Sequence, residues 1–590
     1  MKQFFKMMFA STLGVILAVV LLSTVTGLLT IAMCMSIGSK SGTTPILSPG
    51  ESVFKLSLSG AMLDSPADRS LSLLLGEDET LSLKDVLTAI RNAREQSAIQ
   101  GIYLDLGVLQ TGTASIDAIR RALTDFRGSG KFIVAYADNY SQGSYFLASV
   151  ADEVYLNPQG LLGLTGIASQ TLFYRGLLEK AGIEMNVFKV GTYKGAVEPF
   201  MSDQLSDANR EQITSYITGL WGHVVNGIAE SRQVPASTVS GFADEGLFFA
   251  APSKAMESRL IDGLKFRSEV ENLLKEKAGQ TGQRLKTVSL SKMKKLEPKA
   301  RKYRNKVAVV YAEGEITAAS MSSPYQGEKY ITEALADELR KLREDEQVKA
   351  VVLRVNSPGG SAFISEQIWK EVSELKKTKP VVVSMGNMAA SGGYYIACAA
   401  NKIVAEANTL TGSIGVFGIF PNLTGLFGKL ALGSEVVKTG KYADLGNLAR
   451  PMMDEEKALI QGYVERCYQT FLTRCSDGRG MSTGEIDALG QGRIWRGEQA
   501  LEAGLVDELG GLDRAIDLAV NLAGIYNYTL ITAPAPKDFI LELLKKQLDE
   551  TKVSLMRDMA GEDYEYFKTL RRLRSTYGIQ ARIPYDLKPL

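Results

Sequence analysis

Two glycine-rich stretches of this 590-residue chain carry residue types that suit acyl chemistry. The first, Asn356–Ser361, reads Asn-Ser-Pro-Gly-Gly-Ser and follows a run of β-branched residues. Consecutive glycines at the end of a strand can turn their backbone N–H groups outward, which suits an oxyanion hole. The same pattern is also compatible with a plain tight turn. This stretch therefore predicts either a turn or an anion-binding backbone, with Gly359 as the candidate donor.

The second stretch, Met388–Tyr394, reads Met-Ala-Ala-Ser-Gly-Gly-Tyr and follows another β-branched run. Ser391 lies among small residues just before a predicted helix, so its hydroxyl is expected to be accessible. The N–H of Gly392 could then join that of Gly359 in holding an oxyanion. Taken by itself, Ser391 also fits the pattern of an ordinary helix-capping residue.

The chain has a single histidine, His223, on a predicted amphipathic helix over Gln212–Ser231. A lone histidine in such a helix favours a structural role. A hydrolase built from this sequence would therefore lack a Ser-His-Asp triad and would need a different base. The sparse histidine and cysteine residues do not show the clustered spacing of a zinc site. We therefore predict no metal and no cofactor.

The composition favours a globular protein of two or more domains, with 45% apolar and 23% charged residues. The formal net charge is +1. A nucleic-acid partner is not expected, because a binder of nucleic acid normally carries a marked excess of positive charge.

The beginning of the chain departs from this balanced composition. No charged residue occurs from Met7 to Ser39, whereas Lys2 and Lys6 precede this run. A helix needs roughly 20 apolar residues to cross a bilayer. The positive-inside rule places the preceding lysines in the cytoplasm and the bulk of the chain outside it. A cleaved signal peptide is the alternative, but the apolar run is long and no Ala-x-Ala site closes it. We predict that residues 1–45 form an uncleaved membrane anchor.

The rest of the chain contains a repeat with a period near 250 residues. Gly143–Ala148 corresponds to Gly393–Cys398, and Val190–Lys194 corresponds to Thr439–Ala443. The order and the spacing both hold, which indicates an internal duplication. We predict a first copy over residues 46–290, a second over 291–535, and a helical extension over 536–590 that includes an amphipathic helix at Phe539–Met556.

Each copy alternates β-branched runs with helical patterns, which predicts parallel sheets covered by helices. In the second copy we expect strands at Val307–Tyr311, Ala350–Val355 and Val381–Met385, and helices at Ile331–Arg343 and Ile364–Leu375. The basic segment Lys292–Lys306 between the copies is expected to be a solvated connection, with contact to anionic lipid headgroups as the alternative.

Together these motifs resemble those of the signal peptide peptidase family, in its long, duplicated bacterial form. The resemblance covers roughly residues 50–530. Besides the two glycine-rich stretches, it is carried by Thr411–Gly415, Gly191–Lys194 and Val197–Phe200. The family is similar in fold to crotonases and Clp proteases. The resemblance therefore implies an α/β protein of two tandem crotonase/Clp-protease-like domains, preceded by one transmembrane helix.

The resemblance also implies roles for three residues: Ser391 as nucleophile, Lys194 as general base, and Ser413 as the residue that orients the lysine. A lysine accepts a proton near neutral pH only if burial or a nearby cation lowers its pKa. Without such surroundings, Lys194 would be an ordinary solvated lysine.

Neither copy holds a complete set of these residues. The first copy has Ser141 at the place of the nucleophile and also has Lys194, but Gly107–Thr111 stands where the second copy has its glycines. The second copy has the glycines and Ser391, but has Ala443 in place of the lysine. We therefore expect one active site between the two copies, with Lys194 reaching Ser391, and Ser141 as a structural vestige.

The resemblance implies a membrane-anchored serine endopeptidase that degrades remnant signal peptides and other hydrophobic peptides. It further implies a homotetramer in the bacterial inner membrane, with the catalytic domains on the periplasmic face. Two other hypotheses remain open: a crotonase-like enzyme that acts on acyl-coenzyme A, and a catalytically inactive membrane scaffold that binds peptides.

Overall fold

The computed structural model describes residues 14, 47, 52–65, 81–282, 284–296, 303–319, 329–534 and 578–582. The predicted anchor over residues 1–45, apart from Gly14, and the predicted helix Phe539–Met556 lie outside these residues. Within the described part of the chain, no helix combines the length and the apolar character needed to cross a membrane.

The first unit contains the elements expected of an α/β domain. Its strands are β1 (Val53–Leu63), β2 (Leu81–Ser82), β3 (Gly101–Gln110), β4 (Phe132–Ala137), β5 (Tyr140–Ser141), β6 (Glu153–Leu156), β7 (Leu162–Gly163), β8 (Glu184–Val190), β9 (Gly263–Leu264) and β10 (Thr287–Ser289). Its helices are α1 (Leu83–Glu95), α2 (Thr113–Arg127), α3 (Gln142–Ala148), α4 (Arg175–Ala181), α5 (Glu198–Met201), α6 (Asp207–Arg232), α7 (Ala236–Asp244), α8 (Ser253–Glu257), α9 (Arg267–Lys277) and α10 (Leu290–Met293).

The second unit and the segment that follows it complete the described structure. Their strands are β11 (Lys306–Glu313), β12 (Glu315–Ile316), β13 (Tyr330–Ile331), β14 (Val348–Ser357), β15 (Gly359–Ser361), β16 (Val381–Ala390), β17 (Lys402–Ala405), β18 (Leu410–Gly412), β19 (Val416–Asn422), β20 (Ile494–Arg496), β21 (Glu508–Leu509), β22 (Thr529–Ala533) and β23 (Gly578–Arg582). Their helices are α11 (Ala334–Glu344), α12 (Ala362–Lys376), α13 (Gly392–Ala397), α14 (Thr424–Lys429), α15 (Asp454–Arg479), α16 (Thr483–Leu489), α17 (Gly497–Glu502) and α18 (Leu512–Ala523).

The two units have the same sheet topology. Neighbouring strands of the first sheet run β10-β1-β3-β4-β6-β9, and those of the second run β22-β11-β14-β16-β17-β21. Every pair along both paths is parallel. The predicted duplication and the α/β fold are therefore confirmed.

The central strand β14 shows why the sequence adopts this fold. Its middle residues, Ala350–Leu353, form an unbroken apolar run because helices cover both faces of a parallel sheet. Val351 and Leu353 pack into one buried cluster, whereas Ala350 and Val352 pack into another with helix α18. Since successive side chains of a strand point to opposite faces, both helical layers are anchored by this one strand.

Several element boundaries differ from the sequence prediction, two of them for clear structural reasons. The helix expected from Ile331 begins at Ala334, because Ile331 belongs to β13 and lies opposite Ile316 of β12. The strand expected to end at Met385 continues to Ala390, because its last residues pair with β18. Because of this extension, β16 ends immediately before Ser391.

The first unit also contributes a strand to the second. Strand β8 pairs antiparallel with β19, from Val190 opposite Val416 to Glu184 opposite Asn422. These strands belong to a sheet with the order β13-β12-β15-β23-β19-β8. The residues that follow β8 are thereby delivered to the carboxyl ends of the second unit's parallel strands, where ligands of open α/β sheets generally bind.

Candidate active site

Ser391 occupies the sharp turn between β16 and α13. Its φ of 55° and ψ of −114° are unusual for a residue other than glycine, and such a conformation costs of order 1–3 kcal/mol. The backbone N–H of Ser391 donates to the carbonyl oxygen of Gly412 at 2.8 Å, which holds the turn. The side chain is fully buried. The strained turn thus holds the hydroxyl of Ser391 at the end of the second unit's parallel sheet.

Lys194 reaches this hydroxyl from the first unit. Its Nζ lies 2.8 Å from Oγ of Ser391 and 3.1 Å from both Oγ and the carbonyl oxygen of Ser413. In a neutral amine, two N–H bonds can be donated to the two oxygens of Ser413, which leaves the lone pair for the hydroxyl of Ser391. The structure therefore brings together the three residues to which the resemblance gave roles.

Burial controls the charge of this lysine. Lys194 has no exposed surface, and this desolvation holds the pKa of its ammonium group well below the ordinary value of 10.5. Removing a charged amine from water disfavours the protonated form. Either burial or a nearby cation could lower the pKa of this lysine, and the described structure meets the first of these two conditions.

The backbone around Lys194 is anchored to a loop of the second unit. The N–H of Tyr193 donates to the carbonyl oxygen of Gln491 at 2.8 Å. Gly492, with a φ of +80°, packs so closely that an added Cβ would lie 2.7 Å from Cβ of Lys194. The side chain of Gln212 joins both units, because it donates to the carbonyl oxygen of Tyr193 at 2.9 Å and accepts from the N–H of Ile494 at 3.1 Å.

A buried carboxylate fixes the chain just after Lys194. Glu198 accepts hydrogen bonds from the hydroxyl and N–H of Ser206, at 2.5 and 3.1 Å, and from the amide of Asn209 at 2.9 Å. Buried carboxylates persist when their oxygens are fully hydrogen-bonded. Sequence reasoning gave no role to Glu198, although it lies in the Val-Glu-Pro-Phe motif quoted for the resemblance.

Ser413 is positioned by its own backbone. It has a φ of 51°, and its N–H donates to the carbonyl oxygen of Arg493 at 2.6 Å. The guanidinium of Arg493 stacks on Tyr193 and Trp495, with 4.8 and 4.9 Å to the ring centroids. The same loop, 491–493, therefore holds both Lys194 and Ser413. No signal in the sequence identified this loop.

The two glycines predicted to form an oxyanion hole lie side by side. The nitrogen of Gly392 would stand 2.7 Å from a Cβ placed on Gly359. The N–H of Gly359 itself donates to Oγ of Ser357 at 3.1 Å. The nitrogen of the next residue, Gly360, would stand 3.1 Å from a Cβ placed on Gly392. Gly360 is thus a further candidate donor, which the adjacent glycine pair could have indicated.

Ser141, the counterpart of Ser391, and Ala443, the counterpart of Lys194, have local structures unlike those of the site residues. Ser141 caps α3 with an ordinary φ of −75°, and its Oγ accepts from the N–H of Ser144 at 3.3 Å. Ala443 lies exposed in a turn. His223 lies outside the catalytic cluster and contacts Asp117 at 2.8 Å. Among the described residues, no group of three or more His, Cys, Asp or Glu side chains could hold a metal ion.

Comparisons with known proteins agree with the fold. The model of peptidase family S49 matches residues 125–281 and 373–526, and that of Clp protease matches residues 312–410. Protease 4 of Salmonella typhi is 36% identical over 494 residues, which cover 80% of this chain and 79% of that protein. Protease 4 of Haemophilus influenzae is 35% identical with the same coverage. The chloroplastic serine protease SPPA of Arabidopsis thaliana is 33% identical over 511 residues, covering 85% of this chain and 74% of that protein.

The tandem α/β units, the buried serine and these relatives define a serine peptidase. The chain belongs to peptidase family S49.

Proposed function

We propose that the chain is a membrane-anchored endopeptidase that uses Ser391 and Lys194 as a catalytic dyad to degrade remnant signal peptides and other hydrophobic peptides. The observation that carries the proposal is the buried 2.8 Å contact between Nζ of Lys194 and Oγ of Ser391. Both groups are fully buried, and this burial favours the neutral form of the lysine that faces the hydroxyl.

The mechanism follows from this geometry. Ser391 Oγ attacks the carbonyl carbon of the scissile peptide bond while Nζ of Lys194 accepts the hydroxyl proton. Lys194 then gives this proton to the leaving amine, and an acyl-enzyme ester forms on Ser391. A water molecule, deprotonated by Lys194, then attacks the ester, and Lys194 returns that proton to Oγ of Ser391 as the bond between this oxygen and the acyl carbon breaks. Ser413 keeps the lysine lone pair directed at the reacting oxygen throughout.

The developing oxyanion is stabilised by backbone N–H groups of the glycine cluster. Gly392 follows the nucleophile directly, and Gly359 lies against it. Donors held in place in a water-excluded site lower the barrier by about 2.7–4 kcal/mol each. For Gly359 to contribute, its N–H must exchange Ser357 Oγ for the substrate oxygen.

The membrane assignment depends on the beginning of the sequence. The uncharged run from Met7 to Ser39, with Lys2 and Lys6 before it, supports a single-pass anchor in the bacterial inner membrane and catalytic domains on its periplasmic face. An enzyme placed there would meet signal peptides left in the membrane after secretion. Protease treatment of spheroplasts tests the orientation, since the catalytic domains should be digested from outside.

The duplication supports a head-to-tail assembly of several molecules, which we propose is a homotetramer. Val436–Thr439 of the second copy corresponds to Val187–Val190 of β8, which pairs with β19. In the described structure these residues belong to no strand, and Val437 is 97% exposed. The first-copy counterpart of β19, residues 167–173, is likewise in no described strand. Val436–Thr439 of one molecule could therefore pair with residues 167–173 of the next molecule, in a head-to-tail contact that closes into a ring.

The proposed activity is tested with purified full-length protein in detergent. A synthetic signal peptide should be fragmented, and a serine-reactive phosphonate should label Ser391 and stop the reaction. A Ser391→Ala variant is the matched control and should be neither labelled nor active. A wild type that binds such peptides without cleaving them would overturn the proposal in favour of a peptide-binding scaffold.

A further inference from the structure

Helix α2 of the first unit packs against the second-unit strand that leads to Ser391. The N–H of Ser115 donates to Oδ1 of Asn387 at 2.9 Å, and Nδ2 of Asn387 donates to Oγ of Ser115 at 2.8 Å. Gly112, just before α2, lies so close to Asn387 that an added Cβ would clash. Asn387 belongs to β16, the strand that ends immediately before Ser391. The first copy therefore contacts the second close to the nucleophile.

The next polar residue of α2 on this side is Asp117, a buried acceptor between the two copies. Nδ2 of Asn408 from the second copy donates to its Oδ2 at 2.9 Å, and Nε2 of His223 from α6 lies 2.8 Å from its Oδ1. A carboxylate only accepts hydrogen bonds, so Nε2 of His223 carries a proton. The single histidine of the chain thus holds the carboxylate that binds Asn408.

The burial of these groups makes the contact specific. Asp117 is 6% exposed and Asn408 is 1% exposed. Oδ1 of Asn408 is buried and has no hydrogen-bond partner among the described residues. Such an unpaired oxygen costs about 1–3 kcal/mol, and a leucine of similar size would avoid this cost. Stability alone therefore does not explain an amide at position 408.

A second ion pair joins the same helix to the same loop. Nη2 of Arg121 lies 2.6 Å from Oε1 of Glu406, but the side chain of Arg121 is 51% exposed. Exposed ion pairs contribute little, typically about 0–1 kcal/mol. We therefore expect the buried contact between Asp117 and Asn408 to control the position of the loop.

Asn408 lies two residues before β18, and the side chains that follow it bind β16. Oγ1 of Thr409 donates to the carbonyl oxygen of Gly386 at 2.7 Å. Oγ1 of Thr411 donates to the carbonyl oxygen of Ala389 at 2.7 Å. Since β18 also pairs with β16 through its backbone, the two strands form one connected unit.

The end of β18 holds both halves of the catalytic cluster. The carbonyl oxygen of Gly412, its last residue, accepts the N–H of Ser391 at 2.8 Å. The next residue, Ser413, binds Nζ of Lys194 with its hydroxyl and its carbonyl oxygen, each at 3.1 Å. A displacement of β18 would therefore move the nucleophile and the lysine relative to each other.

We propose that Asp117 is a positioning residue of the peptidase, which aligns Ser391 with Lys194 by holding Asn408 and thereby β18. This inference depends on the proposed function, because the alignment matters only if the two residues form the dyad. It gives the first copy a second task besides supplying the lysine. A misplacement of 1 Å at a reacting group can lower the rate by about 10²-fold.

The first test removes the donor of Asn408 without adding a charge. Asn408→Leu should lower kcat for a leucine-rich fluorogenic peptide by roughly 10-fold to 10²-fold and leave KM near the wild-type value, because the contact aligns the dyad and binds no substrate. A merely structural contact would change the stability but not kcat.

The matched control is Asp262→Asn. Asp262 accepts from Arg232 of the same helix α6 at 2.8 Å and from the N–H of Val154 at 2.7 Å, all within the first copy. This variant should lose stability in urea and keep kcat. A folded Asn408→Leu with the kcat of wild type would overturn this inference alone. A wild type without peptidase activity would overturn the proposed function as well.

The second test exchanges donor and acceptor. Asn408→Asp alone places two carboxylates against each other and should lower kcat at least as far as Asn408→Leu. Asp117→Asn/Asn408→Asp has the net charge of wild type and restores a hydrogen bond of opposite direction, so it should recover much of the lost kcat. If Asn408→Asp does not fold, Asn408→Leu is the reference. A folded double variant with a kcat no higher than that of Asn408→Leu would overturn the positioning role.

Discussion

Nζ of Lys194 lies 2.8 Å from Oγ of Ser391, although 197 positions separate the two residues in the chain. One belongs to the first copy of the duplicated unit and the other to the second. The contact is made possible by the pairing of β8 with β19, which carries the first copy across to the second. A single copy therefore cannot form this site.

The first prediction concerns the role of Lys194. Lys194→Met keeps the length and the apolar stem of the side chain and removes the amine, so kcat/KM for a leucine- or alanine-rich fluorogenic peptide should fall by roughly 10²–10⁴-fold. The matched control is Lys441→Met, because Lys441 lies in the corresponding motif of the second copy and is exposed. It should retain full activity. Normal hydrolysis by folded Lys194→Met would mean that another group serves as base.

The second prediction concerns the pH dependence of activity. Burial lowers the pKa of Lys194 well below 10.5, and only the neutral amine can accept the proton of Ser391. The kcat/KM of wild type should therefore rise with pH through this lowered pKa and reach its plateau well below pH 10.5. A rise centred near the ordinary value for lysine would show that Lys194 is solvated in the working enzyme.

The same shift predicts a pH dependence of stability. Between the lowered pKa of the folded protein and the ordinary value near 10.5, Lys194 binds a proton in the unfolded chain but not in the folded one. The free energy of unfolding should therefore rise with pH in this window, relative to Lys194→Met. Urea unfolding of both proteins from about pH 7 to about pH 10 measures the difference. A constant difference across this range would contradict the expected titration.

The third prediction compares Ser391, the proposed nucleophile, with Ser141, its counterpart in the first copy. Ser391→Ala should lower peptide hydrolysis by roughly 10³-fold or more, whereas Ser141→Ala should keep the activity and lose about 1 kcal/mol of stability as a missing helix cap. Because Ser391 has a φ of 55°, Ser391→Gly should be inactive yet about 1 kcal/mol more stable than Ser391→Ala. Denaturant titrations check the order, and equal stabilities would argue against backbone strain at this turn.

The candidate site residues were predictable because the motifs that carry the family resemblance are local. Glycine pairs after β-branched runs mark the ends of β14 and β16, and the 250-residue repeat indicated that the lysine and the serine come from different copies. The loop 491–493 was not predictable, because it holds the site through backbone carbonyls and one close glycine contact, which leave no recognisable motif in the sequence. Strand β23 was missed for a similar reason: its partners, β15 and β19, are distant in the chain and its own pattern is short.

The fourth prediction concerns Ser413. Ser413→Ala removes one of the two oxygens that bind Nζ of Lys194 at 3.1 Å, but the carbonyl oxygen of the same residue remains. We therefore expect kcat to fall by roughly 10-fold, less than for Lys194→Met, with a shifted acid limb of the pH profile. Ser413→Thr keeps a hydroxyl and should restore part of the activity. A Ser413→Ala enzyme with an unaltered kcat and pH profile would exclude an orienting role.

The last prediction concerns the ion pair that joins the two copies behind the site. The guanidinium of Arg354 donates to both carboxylate oxygens of Asp64, at 2.8 and 3.0 Å, and each side chain is only 3% exposed. Asp64→Ala leaves a buried guanidinium without its counter-ion, so it should lower the free energy of unfolding by about 3–5 kcal/mol. The double variant Asp64→Ala/Arg354→Met removes both charges and should recover much of that loss. Strictly additive losses in urea unfolding would show that the two side chains do not interact.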